Sequence, residues 1–355
     1  MERLPENDIL LSAHTTIGLG GPARFFHECA DPAQLPELLE FARSRDLSVF
    51  LLGGGSNVIF ADEGFTGLVI KIAWRGISMD RDGEDVIVRA QAGEVWDALV
   101  ERALDESLGG LECLSGIPGT AGAAPVQNIG AYGRELGDCL ESVRVLERAS
   151  GRVSELGAGE CGFGYRRSRF KYEDRDRWVI TEITLRLKRD QSPEILYPEL
   201  RARLKESGAY DALEPREKSR ALRETVLDLR RGKSMLLDPS DPNARSCGSF
   251  FLNPVLDNVE EWKFRERLER MGVENFPQFP DEKGLKIPAA WLVEKAGFPR
   301  GYESGGAAIS EKHALALVNR GATSGSLLRL AGEIQKAVRE KFGVVLALEP
   351  VVVHP

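Results

Sequence analysis

Arg166, Arg167 and Arg169 crowd one short stretch, GYRRSR from Gly164, that reads as a turn after a short helix. A guanidinium fork matches a carboxylate in two parallel hydrogen bonds, so one of these arginines is placed to hold an acidic ligand. The same cluster also reads as plain charged surface. Ser249 lies in RSCGSFFLNP from Arg245, between Gly248 and two phenylalanines. Its hydroxyl is either a proton or hydrogen-bond donor in a partly dry turn, or an ordinary turn serine. No histidine is near it in sequence and no G-x-S-x-G elbow occurs, which argues against a serine hydrolase. Glu349 is the only acid in the apolar closing segment LALEPVVV. Either it is exposed at a strand end, or burial raises its pKa and makes it a neutral hydrogen-bond donor. Tyr197 in EILYPEL and Lys233 in RRGKS have chemistry only in company.

Two uncharged glycine-rich stretches accompany these side chains: Gly53-Gly54-Gly55-Ser56-Asn57, and the run Gly116–Gly133. The second holds five glycines, four alanines and no charge in a chain that is 29% charged. Backbone without side-chain bulk brings its N–H groups close to a guest, and oriented amides bind anions such as phosphate without a basic side chain. The alternative is a pair of ordinary glycine turns.

The elements that must position these loops are legible from periodicity. Pro32 to Asp46 predicts a helix with Leu35, Leu38, Leu39 and Ala42 on one face, and Leu47 to Leu52 a strand entering the first loop. Gly67 to Ile72 and Val86 to Ala90 read as strands. Glu94 to Leu108 reads as a helix, with Trp96, Leu99, Val100 and Ala103 spaced along one stripe. After the glycine run come strands near Ser142 to Glu147 and Trp178 to Leu187. Polar, proline-punctuated sequence from Lys188 to Glu214 reads as a boundary. Helices follow at Pro215 to Arg231, Pro288 to Ala296 and Ser324 to Lys341, and a closing strand at Val344 to Val353.

With 355 residues, two or three domains are expected. The net charge of −8 argues against nucleic acid or an anionic membrane as partner. No apolar run is long enough to cross a bilayer, and MERLPENDILLSAHTT lacks the basic-then-apolar pattern of a signal peptide. Five widely spaced cysteines without a CxxC pair read as free thiols in a reducing cytoplasm. Four scattered histidines show no ligand spacing, so no metal is expected.

Taken in order, TTIGLGGPA from Thr15, GGGSNV from Gly53, Gly116–Gly133, FGYRRS from Phe163, GSFF from Gly248 and GGAAIS from Gly305 resemble the UDP-N-acetylenolpyruvoylglucosamine reductase family. The resemblance covers nearly the whole chain, and Tyr197 resembles the tyrosine of the subgroup with a substrate-covering loop. It implies an α+β fold: a two-lobed FAD-binding module of the vanillyl-alcohol-oxidase type, then an α+β substrate domain. The lobes are expected at 1–75 and 76–212 and the substrate domain at 213–343, with the strand 344–355 a candidate to join the first lobe.

The resemblance further implies NADPH-dependent reduction of the enolpyruvyl ether of UDP-N-acetylglucosamine to UDP-N-acetylmuramate, in the peptidoglycan pathway, by a cytoplasmic monomer with non-covalent FAD. Implied cofactor residues are Gly53, Gly54, Gly55, Ser56, Asn57, Ile117, Pro118, Gly119, Thr120, Gly122, Ala123, Gly130 and Tyr132. The loops would cradle the pyrophosphate through backbone N–H groups, with side-chain donors from Ser56, Asn57 and Thr120. Arg166 and Glu349 match residues that stabilise an enolate-like intermediate, and Ser249 the proton donor. Tyr197, Lys233 and Asn253 match contacts to the UDP diphosphate. Two departures stand out. Leu252 replaces a frequent lysine, and the family's Leu-Glu-Pro-Glu-Val becomes LALEP here; counting without gaps from Phe342 puts Glu349 on the catalytic glutamate. Matching Leu-Glu-Pro literally puts it on the neighbouring one, and that strand offers no other glutamate. Rival readings are an FAD oxidase of a sugar alcohol or lactone, and a nucleotide-binding protein without activity. Such oxidases often tether flavin through histidine, and neither glycine loop contains one.

Overall fold

The computed structural model describes residues 5–206 and 208–355. The first four residues of the 1–75 lobe, which also open the segment read for a leader, lie outside them, as does Ser207. The chain forms two compact units. One runs to Ile9 and includes Arg24–Gly54 and Thr66–Leu236; the other comprises Leu10–Ala23, Gly55–Phe65 and Leu237–Pro355.

The first unit carries its glycine run on a large antiparallel sheet. Its strands lie in the order Val153–Gly157, Leu140–Glu147, Trp178–Arg189, Asp85–Gln91, Ile77–Asp82, with Leu108–Gly109 also on Trp178–Arg189. Alternation turns Val143, Val145, Ile183, Leu185 and Val88 inward, where the Trp96–Asp105 helix lays Trp96, Leu99, Val100 and Ala103. A four-stranded sheet follows the order Glu6–Leu10, Pro22–Cys29, Phe65–Ile72, Val49–Leu52. The last two pair in parallel, and Leu35, Leu38, Leu39 and Ala42 of the Leu35–Arg43 helix pack with Leu68 and Ile70.

The polar stretch read as a boundary contains a helix, Pro198–Glu206. Its Leu200 and Leu204 pack against Leu222, Val226 and Leu229 of the Pro215–Gly232 helix. That apolar stripe, about 1.5–3 kcal/mol for each fully buried side chain, keeps residues 213–236 in the first unit rather than in the following domain. Composition marks the stretch as surface; it does not show that two short stripes find each other.

The core of the second unit gathers around the Ser324–Phe342 helix, which Thr323 caps by accepting the Ser326 N–H at 3.1 Å. Gly343 ends it in the left-handed region, at φ 74°. The closing strand is shorter than periodicity predicts: only Val351–Val353 is regular, paired in parallel with Val58–Phe60. The reason is Pro350, which has no N–H for a ladder. Before it the chain pairs with another partner, Glu349 N–H donating to Phe250 O at 3.0 Å and Leu252 N–H to Ala347 O at 2.9 Å.

Candidate active site

The first unit brings the two glycine stretches together. A Cβ on Gly54 would stand 2.8 Å from Gly119 Cα, and one on Gly53 2.8 Å from Thr120 Oγ1. At Gly54 bare backbone of one loop lies on bare backbone of the other, while Gly53 lies against the Thr120 side chain. Hydrogen bonding selects which amides remain for a guest. The N–H groups of Ala121, Gly122 and Ala123 donate to Glu94 O, Ala92 O and Thr120 O at 2.8, 2.9 and 3.0 Å. Gly122 and Ala123 therefore shape the loop instead of offering amides. Among the described residues, the fold's backbone hydrogen bonds leave the N–H groups of Ile117, Gly119 and Thr120 unused. Bare backbone and unused amides suit a dinucleotide pyrophosphate, which the family resemblance assigns to these loops.

Among the clustered arginines, Arg167 pairs with Glu173, and Arg169 with Asp174 at 2.6 Å. Arg166 reaches the end of the glycine run, Nη2 donating to Gly130 O at 2.7 Å. Its backbone is left-handed, φ 51°, a conformation that costs a long side chain about 1 kcal/mol or more.

Tyr132, Tyr197 and Lys233 also meet in the first unit. The tyrosine rings contact edge to face at 5.4 Å, and Lys233 Nζ stands 6.0 Å from the Tyr132 ring while pairing with Glu199 at 2.9 Å. Burial pushes the Tyr132 hydroxyl up to about 12, against the opposing charge of Arg230. Arg230 escaped the sequence reading. It donates to Gly116 O at 3.2 Å and to Met235 O at 2.9 Å. Its only sequence signal is its position on the inward edge of an arginine-rich helix.

In the second unit, Ser249 lies between Gly248, φ 72°, and the buried Phe250 and Phe251. Phe250 N–H donates to Leu315 O at 2.8 Å, and Phe251 bridges Leu348, so the backbone beside Ser249 is held on both sides. Glu349 is half-buried in the partner segment of this ladder. Asn57, in the same unit, contacts this segment: Nδ2 donates to Glu349 O at 3.3 Å, and Asn57 O accepts the Val351 N–H at 3.0 Å. Asn253 Oδ1 accepts the Ala289 N–H at 2.9 Å, at the start of the Ala289–Lys295 helix. That contact engages its carbonyl in the fold.

All five cysteines are free, as expected. Burial pushes the Cys247 thiol, two residues before Ser249, up to about 12 despite a hydrogen bond to Val58 O, which marks it as a packing residue. No metal-ligand cluster occurs among the described residues.

Comparison with known proteins decides the family. Residues 23–157 match the model of the FAD binding domain, and residues 239–353 that of the UDP-N-acetylenolpyruvoylglucosamine reductase C-terminal domain. The UDP-N-acetylenolpyruvoylglucosamine reductase of Thermobifida fusca is 45% identical, over 98% of this chain and 97% of its own. This chain belongs to the UDP-N-acetylenolpyruvoylglucosamine reductase family. The Saccharopolyspora erythraea reductase is 43% identical over 98% of this chain and 96% of its own. Among solved structures, UDP-N-acetylenolpyruvylglucosamine reductase from Thermus caldophilus matches with TM-score 0.64 and 27% identity, covering 98% of each chain. The protein is thus an oxidoreductase with an FAD-binding module followed by the reductase family's own C-terminal domain.

Proposed function

We propose that this protein reduces the enolpyruvyl ether of UDP-N-acetylglucosamine, UDP-N-acetyl-3-O-(1-carboxyvinyl)-glucosamine, to UDP-N-acetylmuramate for peptidoglycan synthesis. It would work in the cytoplasm as a monomer, with NADPH as electron donor and non-covalent FAD. The observation that carries the reading is the packing of Gly53 and Gly54 on Gly119 and Thr120, in a chain whose relatives bear this reductase name. When bound, FAD supplies a two-electron carrier between NADPH and the carbon–carbon double bond. The net reaction adds a hydride and a proton across that bond.

The chain's own residues divide the remaining work. Ile117, Gly119 and Thr120 hold the pyrophosphate by their amides, joined by Thr120 and Ser56 hydroxyls. The Arg166 fork holds the substrate carboxylate and offsets charge that develops beside it. By the family resemblance Glu349 would assist the same step, and only when protonated and donating a hydrogen bond. Ser249 gives its proton to the carbon next to the carboxylate. A serine hydroxyl is a weak acid, so this step suits a strongly basic carbanion. By the family resemblance Lys233 and Asn253 would contact the diphosphate, and Tyr197 would cover it. Lys233 pairs with Glu199 at 2.9 Å.

Steady-state turnover tests the reading. The purified protein should be yellow and consume NADPH only when the enolpyruvyl nucleotide is added. Equal NADPH loss with and without that nucleotide, or turnover of a sugar alcohol with oxygen instead, would contradict it.

A further inference from the structure

We infer that Asp97 and Arg223 are positioning residues for the FAD pyrophosphate: they fix the entry of the glycine run at Gly116, without themselves touching the cofactor. The inference rests on the FAD-binding reading of the glycine loops and adds residues outside them. Asp97 lies in the first turn of the Trp96–Asp105 helix, where the helix dipole favours a carboxylate. Its Oδ1 accepts the Gly116 N–H at 2.6 Å. Arg223, on the Pro215–Gly232 helix, closes on the same carboxylate as a fork, Nη1 to Oδ1 at 2.7 Å and Nη2 to Oδ2 at 2.9 Å. The Arg223 side chain is 13% exposed and that of Asp97 34%, so the pair is shielded from solvent on the arginine side.

Gly116 is a demanding place to hold. It is left-handed at φ 68°, and a Cβ there would stand 2.6 Å from Leu236 Cδ2 and 2.8 Å from Leu227 Cδ2. Its N–H goes to Asp97, and its carbonyl accepts from Arg230, two turns after Arg223 on the same helix. Three residues on, Gly119 O accepts the N–H of Trp96, the neighbour of Asp97, at 3.1 Å. One helix turn therefore pins the run at both ends of the span that presents the Ile117 and Gly119 amides. An anion-binding amide contributes fully only when it is aimed before the anion arrives, and this pin does the aiming.

A nearby pair supplies the control. Arg220 and Asp105 join the same two helices at 2.6 Å, exposed and without contact to Gly116. The test strips FAD from the protein and titrates it back onto wild type, R223M, R223K and R220M, following quenching of flavin fluorescence, with the melting temperature of each apo protein alongside. R223M should weaken FAD binding about tenfold or more, the size expected when a charged hydrogen-bond partner is lost. R223K, which keeps charge but not the fork, should fall between, and R220M should match wild type. Hydrogen exchange in the peptide containing Gly116 should quicken in R223M and not in R220M. If R223M does not fold, R223K against R220M is read in the same way. Unchanged FAD affinity in the Arg223 variants overturns the inference, as does equal weakening in R220M, which would make helix docking the cause. A wild-type chain that binds no FAD overturns the flavin reading itself, and the inference with it.

Discussion

The glycine run of the first unit and the Ser249–Glu349 ladder of the second use backbone in opposite ways. In the run, side chains are removed so that main chain approaches main chain, and the amides at Ile117, Gly119 and Thr120 stay out of the fold's own hydrogen bonding. In the ladder, the amides of Phe250, Leu252, Glu349 and Val351 are all engaged, which leaves the side chains to act. Where the backbone is the ligand, glycine is required; where a side chain is the reagent, the backbone beneath it is tied down. Substitutions should therefore fail differently in the two regions: by loss of cofactor in the first, and by loss of chemistry with cofactor retained in the second.

The largest effect is expected from Gly54→Ala. Its new methyl would meet Gly119 Cα, a backbone atom that cannot swing away. The purified variant should carry almost no flavin by its visible absorbance, and a stoichiometrically yellow protein would break the comparison. Ser249→Ala should keep its flavin and still be bleached by NADPH, while reoxidation by the enolpyruvyl nucleotide slows by roughly 10²–10⁴-fold. If both half-reactions slow alike, Ser249 is a structural residue and the ladder is not a platform for chemistry. Arg166→Lys should lower kcat by about tenfold while leaving FAD bound, because a point charge lacks the fork. Near-normal turnover would remove Arg166 from the site.

A smaller effect concerns acid. Burial alone would raise the Asp97 pKa, but hydrogen bonds from Arg223 and the Gly116 N–H, with the charge of Arg223, hold it below its ordinary value of 3.8. A carboxylate with a lowered folded-state pKa stabilises the fold above its unfolded pKa, and that contribution fades as pH falls through the folded value. FAD retention should therefore be flat from neutral pH down to about 4 and decline below it. R223M should move the decline upward. An unchanged acid limb in that variant would separate Asp97 from the cofactor loop.

Much of the site was legible because its residues sit in motifs that are local in sequence. Gly53–Asn57, Gly116–Gly133 and the helix stripe of Trp96, Leu99, Val100 and Ala103 could be read from composition and period alone. The unit boundary could not. Residues 10–23 and 55–65 pack with a domain that begins at Leu237, and nothing local in them announces that partner. Nor could the clamp at Gly116: Asp97 and Arg223 are 126 residues apart and each passes for solvated helix surface. Pro350 was visible, but its effect on the closing strand depends on which neighbour supplies the ladder on either side of it. Local pattern reports propensity, whereas partner choice belongs to the fold.

The central claim is that bare backbone holds a flavin on which Ser249 and Arg166 complete the reduction of an enolpyruvyl ether. Anaerobic titration of the protein tests it most directly. One equivalent of NADPH should bleach the flavin, and one equivalent of the enolpyruvyl nucleotide should then restore its colour and yield UDP-N-acetylmuramate. Flavin that stays bleached until oxygen is admitted would contradict the account.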